Sequence, residues 1–426
     1  MMKETEIPQG FKTHLPKEAL EIGYILSKFE DVMQQWGYLP VIPPTMEYLN
    51  TFKKIDEEFE ELSFKVVDKL TGRLIAVRPD FTPQISRIVA SSFKNEQPPF
   101  RFYYSGNVFR DSKGNREFPQ IGFELIGVSD IEADAEVVSI IVNILKELGL
   151  KSFQIDIGQI EFIDGALEEL KIPENKKLEF IHLLSTKDFS GIELFCEKNQ
   201  ITGERKKKIE ILLDLYGKEQ ILEKAVETFK NETSQSAINT LKEMFEILKT
   251  YGFEKNIFFD LSERKGMNYH SGITFEIFHP LIGISIGGGG RYDHLINSFG
   301  RNLPATGTSI RIDHIYELLK RKDSLNVKLP CDIYLIDTKK ELKKAYEVAK
   351  ELRKRGFKVA RDIVKRPVEE SIEVAFNKGF KFAIVLNPKE HKSKFIVCGK
   401  NFRKIADEGK TTEETVNTII EILEEC

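Results

Sequence analysis

Polar residues that could do chemistry are grouped in four short clusters of the sequence. The clusters read VRPDFTPQ at 77–84, NVFRD with QIGFE at 107–124, RKGMNYHSGITFE at 264–276, and GGGGRYD at 287–293. Successive side chains of a strand alternate between its two faces, so Gln120 and Glu124 point to the same side. Because a buried carboxylate needs partners, this spacing predicts further polar groups close to Glu124.

One small pocket could be formed by the polar residues of these clusters: Asp80, Thr82, Gln120, Glu124 and Tyr269. Two carboxylates among uncharged polar groups would suit a cationic or zwitterionic ligand. Arg110 could hold a carboxylate or a phosphate in the fork of its guanidinium group. An ion-pair network that only orders the sheet explains the same residue types equally well.

The glycine run at 287–290 does not match a phosphate-binding signature. A P-loop has Gly-Lys-Ser/Thr after its loop, and a dinucleotide fingerprint spreads its glycines as GxGxxG. A strand without side chains allows a ligand or a second backbone to approach closely. A tight turn is the simpler alternative, and the stretch alone does not decide between them.

Periodicity in the first part of the chain predicts a mostly antiparallel sheet with helices. An apolar helical period begins at Pro16 and ends at Gly37. The following strand, YLPVIPP, contains prolines that cannot donate to a sheet ladder, which favours an edge or subunit-contact position. The aromatic segments RFYYSGNVFR and FPQIGFELIGV, joined by the polar stretch DSKGNRE, are typical of a hairpin.

The same patterns predict two domains. Residues 1–325 are expected to form an α+β core, in which about 168–250, rich in Lys and Glu at helical spacing, is a helical insertion. After a polar linker, the alternation of strand and helix over 330–426 predicts a small, parallel α/β domain. No glycine-rich loop follows its first strand, so it is not expected to bind a dinucleotide.

Bulk composition excludes several classes of protein. The net charge of −4 and pI near 6.1 argue against a globally basic nucleic-acid binder. The four cysteines form no CxxC pair or dense framework, so neither a metal site nor a disulfide scaffold is expected. No apolar signal core or long apolar run is present. We therefore expect a cytoplasmic protein with no membrane contact.

Together the clusters resemble the class II histidyl-tRNA synthetase family over nearly the whole chain. RFYYSGNVFR with QIGFE is similar to the family's motif 2 hairpin, and MNYHSGITFE and GGGGRYD are similar to its two histidine-specific motifs. The terminal domain resembles the family's anticodon-binding domain. The resemblance implies a histidine pocket lined by Asp80, Thr82, Arg110, Gln120, Glu124, Tyr269 and His270. It also implies that backbone lies close beneath the amino acid at Gly288, Gly289 and Gly290.

Departures from the family pattern fall on the nucleotide side. Where the family has an Arg before Gly-x-x-Tyr, this chain has Lys265, and Arg264 is one position out of register. Lysine lacks the bidentate fork, so the change is not conservative. In the motif 3 helix, Arg311 stands where the family has a Gly, and His314 stands where it has an Arg. Two places after Arg110, where the family has an acidic residue, this chain has Ser112. The pattern implies a protein that binds histidine without activating it, with no catalytic residues and no cofactor.

Such a pattern resembles the family branch of ATP phosphoribosyltransferase regulatory subunits, as do the segments RPDFTPQ and LPKEA. That resemblance implies a short-form ATP phosphoribosyltransferase catalytic subunit as partner, histidine as the allosteric effector, and a homodimer within a larger hetero-oligomer. The expected dimer contact is the helix and Pro-rich strand at 17–44.

Two other functions stay open on the sequence. A divergent histidyl-tRNA synthetase could use Arg264 or Lys265 in place of the family's arginine. A non-catalytic RNA-binding module would rest on the terminal domain, which many regulatory subunits lack. The helix face KKELKKAYEVAKELRKR mixes both signs of charge, which favours a solvated surface, so tRNA is not expected as a partner.

Overall fold

The computed structural model describes residues 5–55, 58–262, 269–325, 327, 329–338, 341–364, 366–388 and 393–425. The chain divides into a large unit, residues 1–326, and a small unit, residues 327–426. None of the helices in the described residues is both long enough and apolar enough to cross a membrane.

Strands of the large unit form two sheets. In its described residues the strands are β1 (Leu39–Pro40), β2 (Met46–Tyr48), β3 (Lys65–Val67), β4 (Leu74–Val77), β5 (Phe100–Phe109), β6 (Glu117–Ile126), β7 (Gln154–Gln159), β8 (Tyr216–Gly217), β9 (Ile257–Asp260), β10 (Ile273–Phe278), β11 (Ser285–Arg291) and β12 (Ala305–Arg311). The main sheet has the order β1-β5-β6-β12-β11-β10-β7-β9-β8 and is antiparallel except for the β1–β5 and β7–β9 pairs. Strands β2, β4 and β3 form a small antiparallel sheet.

Helices of the large unit cover both faces of the main sheet. They are α1 (Pro16–Gln35), α2 (Leu49–Lys53), α3 (Glu58–Leu62), α4 (Thr82–Ser91), α5 (Glu132–Glu147), α6 (Ile160–Glu169), α7 (Lys177–Ser185), α8 (Phe189–Lys198), α9 (Gly203–Leu213), α10 (Gln220–Thr228), α11 (Glu232–Thr250) and α12 (Ile312–Arg321). Helices α6 to α11 fall between β7 and β9, in the Lys/Glu-rich part of the sequence. There α11 packs against α6 and α5.

The first helix and the strand after it agree with their sequence patterns. Helix α1 begins at Pro16 and buries Phe29 and Met33. Gly37, which has a φ of +75°, directs the chain away from the helix, a conformation that glycine adopts without strain. Strand β1 lies at one end of the main sheet, which confirms the edge position expected from its prolines.

The predicted hairpin is confirmed, and its second strand has two different faces. Phe102 pairs with Glu124 across β5 and β6. On β6, Ile121, Phe123 and Leu125 belong to the main apolar core, where α1, α5 and α12 pack. The alternate residues Phe118 and Ile126 belong to the core on the opposite face, near α4. Gln120 and Glu124 share the parity of this second face, as predicted.

The small unit is an α/β sheet with an antiparallel extension. Its described elements are β13 (Ile333–Asp337), α13 (Leu342–Lys354), β14 (Val359–Arg361), α14 (Val368–Asn377), β15 (Phe382–Leu386), β16 (Lys394–Cys398), β17 (Arg403–Asp407) and α15 (Thr412–Glu424). The sheet order is β14-β13-β15-β16-β17. The first three strands are parallel, as predicted, whereas β16 and β17 add antiparallel pairs that the sequence analysis missed.

A buried ion pair fastens the end of β11 to helix α5. Arg291 donates from Nε and Nη2 to Oδ2 of Asp134, at 3.0 and 2.5 Å, and also bonds to the carbonyl oxygens of Val128 and Asp130. Asp134 is fully buried, and burial raises its pKa against the opposing effect of Arg291. The arginine of the GGGGRYD cluster is therefore a structural residue.

We expect Asp134→Ala to lower the free energy of unfolding by up to roughly 3–5 kcal/mol, because it removes the fully buried partner of Arg291 and leaves only Asp293, whose Oδ1 lies 3.3 Å from Nη1. Urea unfolding followed by circular dichroism measures the change. Glu246→Ala, which removes an exposed partner of Lys249 from a helix, is the control and should change little. Equal effects of the two substitutions would show that the buried pair does not fasten the sheet.

Candidate functional site

One cavity of about 500 Å³ lies against β6, β10, β11, β12 and the beginning of α4. Its lining brings together nine of the residues predicted for the site: Asp80, Thr82, Arg110, Gln120, Glu124, Tyr269, His270, Gly288 and Gly289. Gly290, the tenth, does not line it. The cavity thus collects residues from all four sequence clusters.

Glu124 is the most constrained group in the cavity. Its Oε1 accepts hydrogen bonds from the hydroxyls of Thr82, at 2.9 Å, and Tyr104, at 3.2 Å. Its Oε2 accepts a bond of 2.6 Å from the hydroxyl of Tyr292. Burial, and secondarily the charge of Asp80, raise the pKa of Glu124 from 4.5 to about 8, although the three hydroxyl donors oppose the rise. Near neutral pH this carboxyl therefore holds a proton that a cationic ligand group could displace.

Asp80 is the second buried carboxyl. Its Oδ1 accepts the backbone N–H of Thr82 at 2.8 Å, at the start of α4. Nη2 of Arg110 lies 3.7 Å from Oδ2, an ion pair without a direct hydrogen bond, while Nε of Arg110 donates to the carbonyl oxygen of Pro79. Burial raises the pKa of Asp80, and Arg110 and the Thr82 N–H oppose the rise.

Uncharged groups complete the acidic end of the cavity. Gln120 is 4% exposed, and its Oε1 has no hydrogen-bond partner among the residues that the structure describes. Tyr269 stacks on His270, with ring centroids 4.7 Å apart, and meets Tyr292 edge to face at 6.0 Å. Burial raises the pKa of the Tyr269 hydroxyl well above its ordinary value, with the charges of Asp80 and Glu124 acting in the same direction. Together, Oε1 of Gln120 and the carboxyl groups of Asp80 and Glu124 can accept hydrogen bonds from the N–H groups of a ligand.

The glycine run is required chiefly by neighbouring backbone. A Cβ at Gly288 would lie 2.7 Å from the carbonyl oxygen of Phe275 on β10, and a Cβ at Gly289 would overlap the Gly307 carbonyl on β12. At Gly290, where φ is +155°, a Cβ would meet the β10 backbone and the ring of His270. The approach of Gly290 to a ligand stays a prediction; the structure shows that the space beside Gly290 is occupied by His270 and β10.

The opposite end of the cavity carries the residues that depart from the family pattern. Arg311 bonds to Asp313 through Nε and Nη2 and lies over the ring of Phe118. His314 donates from Nδ1 to the carbonyl oxygen of Ser285, at 2.7 Å. Both side chains are thus held by partners within the protein. Arg264 and Lys265 lie outside the described residues, and Ser112 is exposed in the hairpin turn.

Sequence reasoning missed three residues that shape the acidic end. Tyr104 shares strand parity with Phe102, and Tyr292 follows the glycine run, but only the three-dimensional contacts bring their hydroxyls to Glu124. Gly307 faces the same carboxylate so closely that any side chain there would overlap it. In the parts of the chain that are described, no group of three or more His, Cys, Asp or Glu side chains is placed to hold a metal ion.

Comparisons with known proteins agree on the fold. The sequence profile of histidyl-tRNA synthetase matches residues 10–315, and that of an anticodon binding domain matches residues 331–424. A crystal structure from Bacillus halodurans, described as an ATP phosphoribosyltransferase regulatory subunit/histidyl-tRNA synthetase, is similar with a TM-score of 0.81 and 28% identity, covering 90% of this chain and 99% of that one. Histidyl-tRNA synthetase from Nostoc sp. PCC 7120 shares the fold, with a TM-score of 0.81, 22% identity and coverage of 99% and 100%.

These matches place the chain among proteins with the class II histidyl-tRNA synthetase fold, which confirms the predicted fold class. Curated relatives narrow the assignment. The ATP phosphoribosyltransferase regulatory subunit of Syntrophotalea carbinolica is 32% identical over 388 residues, which are 90% of this chain and 91% of the relative. That of Geobacter metallireducens is 33% identical over 377 residues, 87% of each chain. The chain belongs to the family of ATP phosphoribosyltransferase regulatory subunits, which confirms the resemblance seen in the sequence.

The raised pKa of Glu124 gives a testable pH dependence of stability. A carboxyl whose folded pKa exceeds its unfolded pKa stabilises the fold below the unfolded value, near 4.5, and this contribution is lost as the pH rises through about 8. Glu124→Gln cannot ionise, so its stability relative to the wild type should increase from about pH 5 to about pH 9, by a few kcal/mol at most, since one pKa unit is worth about 1.4 kcal/mol. Urea unfolding over that range measures the difference. Parallel stability curves would contradict the raised pKa.

Proposed function

We propose that this chain is the non-catalytic regulatory subunit of a cytoplasmic ATP phosphoribosyltransferase complex, required for the first step of histidine biosynthesis. We further propose that histidine binds in the 500 Å³ cavity and mediates feedback regulation from there. The observation that carries the proposal is the acidic end of the cavity. Two buried carboxyls and an amide oxygen with no partner in the described part of the chain face a space large enough for an amino acid there.

The chemistry of that end suits histidine. The α-amino group and the imidazole N–H are the donors of the ligand, and Asp80, Glu124 and Oε1 of Gln120 are the acceptors available to them. Charge-assisted hydrogen bonds are stronger than neutral ones, which favours a ligand that brings its own cation. Gly288 and Gly289 present backbone without side chains to the same space.

The opposite end supports the non-catalytic part of the proposal. Amino-acid activation places a carboxylate against the α-phosphate of ATP and needs fixed cations for the charge that develops. Here Arg311 is neutralised by Asp313, and His314 is bonded to a backbone carbonyl. Among the described residues of this end, Arg311 and His314 are therefore engaged with the protein itself.

Regulation requires a partner. The relatives' name implies a catalytic subunit, and we propose a short-form ATP phosphoribosyltransferase in that role, with this chain as a homodimer inside a larger hetero-oligomer. Histidine must bind the two functional states of that assembly unequally, since a ligand of equal affinity for both would shift nothing. tRNA is not proposed as a partner.

We expect Gln120→Ala to weaken histidine inhibition of the assembled complex about tenfold, since a ligand N–H would lose its buried acceptor. Stability should change little, because Oε1 of Gln120 has no partner to lose in the described residues. Inhibition curves for the complex measure the effect, and Gln97→Ala, an exposed position outside the cavity, is the matched control. Identical inhibition by histidine in both variants would contradict the histidine pocket.

A divergent histidyl-tRNA synthetase is the second candidate, favoured by the match of residues 331–424 to an anticodon binding domain. Histidine-dependent exchange of pyrophosphate into ATP separates the two functions. The regulatory proposal predicts no exchange above a protein-free control, while exchange together with charging of tRNA would establish the synthetase. Salt-dependent tRNA binding without exchange would instead favour a non-catalytic RNA-binding module.

A further inference from the structure

Arg311 lines the cavity, and its guanidinium group is held both by stacking and by hydrogen bonds. Its guanidinium carbon lies 3.8 Å from the ring centroid of Phe118. Nε and Nη2 donate to Oδ1 and Oδ2 of Asp313, at 3.0 and 2.5 Å, in the fork geometry that arginine makes with a carboxylate. Stacking and the fork hold the planar group in one orientation beside the cavity, so the group is preorganised for anion binding.

A site for a zwitterionic ligand needs carboxylates for the ligand's cationic groups and a cation for its carboxylate. Arg110 is the other guanidinium of the lining in the described residues, and there it is the only cation within ion-pair distance of Asp80, at 3.7 Å. The side chain of Asp80 is 9% exposed, so withdrawing Arg110 would leave a buried charge without compensation, which is strongly unfavourable. Arg110 is therefore poorly placed to transfer its charge to a ligand.

Sharing the charge of Arg311 with a ligand should cost Asp313 less free energy than the loss of Arg110 would cost Asp80. Its side chain is 22% exposed, and it lines a second cavity, of about 530 Å³, between the N-terminal segment, the β5–β6 turn and α12. There it also accepts Nδ2 of Asn115 at 3.4 Å. Water and Asn115 can compensate Asp313 when a ligand carboxylate shares the charge of Arg311, whose guanidinium keeps the orientation set by Phe118 and Asp313.

Resting on the proposed function, we propose that Arg311 binds the carboxylate of the ligand and that Asp313 competes with that carboxylate for it. Asp313 holds the Nε–Nη2 edge of the guanidinium and neutralises its charge. The ligand's cationic groups then face Asp80 and Glu124, while its carboxylate meets Arg311, which pairs with Gln120 four residues along β6 from Glu124. Affinity for the ligand is consequently set in part by a residue that never touches it.

Calorimetric titration of the full chain with histidine and with histamine, which lacks the carboxylate, tests this role. Arg311→Ala should weaken histidine binding about tenfold and leave histamine binding unchanged. Asp313→Asn, which keeps the shape but removes the competing charge, should tighten histidine binding roughly threefold. Glu317→Gln is the matched control, since it breaks the exposed pair with Arg321 on the same helix and should leave both affinities unchanged.

The sign of the Asp313→Asn effect separates ligand recognition from a structural role, because damage to the pocket would weaken binding. Unchanged or weaker histidine binding in Asp313→Asn, or equal weakening of histidine and histamine in Arg311→Ala, would overturn the role of Arg311. Wild-type protein that binds neither compound would overturn the proposed function and this inference together. If the wild type binds histidine but no histamine binding is detected, the Asp313→Asn variant alone tests the role of Arg311: tighter histidine binding supports it, and unchanged or weaker binding overturns it.

Discussion

Burial of the Glu124 carboxyl is the constraint on which the rest of the site depends. A carboxyl in this position is tolerated only if donors surround it, and they come from three elements distant in sequence. Thr82 begins α4, Tyr104 lies on β5, and Tyr292 follows β11. The same group excludes a side chain at Gly307 on β12. One acidic group therefore ties together the helix and the strands that form the cavity.

The two ends of the cavity differ in how their charges are used. At the acidic end, burial raises the pKa values of both Asp80 and Glu124, and the value of about 8 for Glu124 means that a cationic ligand group could displace its proton near neutral pH. At the other end, Arg311 and His314 are bonded to partners within the chain. The fold is shared with histidyl-tRNA synthetases, so any difference in function must come from the residues that line the cavity and not from the fold.

Much of the site could be predicted because strand parity and motif order are local properties of a sequence. Parity alone placed Gln120 and Glu124 on one face, the polar clusters suggested Asp80 and Tyr269 as their neighbours, and the resemblance to a known family added His270. The hydroxyls of Tyr104 and Tyr292 could not be assigned, since their contact with Glu124 joins residues up to 168 positions apart. The neighbours of Gly290 could not be predicted, because close approach by a backbone and by a ligand leave the same signature in the sequence. Strands β16 and β17 were missed since pairing of adjacent short strands in a mixed sheet leaves little periodicity.

The crystal structure of the protein with histidine tests the central claim most directly. The account predicts histidine in the main cavity, with its amino group and imidazole within hydrogen-bond distance of Asp80, Gln120 and Glu124. Histidine bound elsewhere, for example in the second cavity beside the N-terminal segment, with the main cavity holding only water, would contradict it.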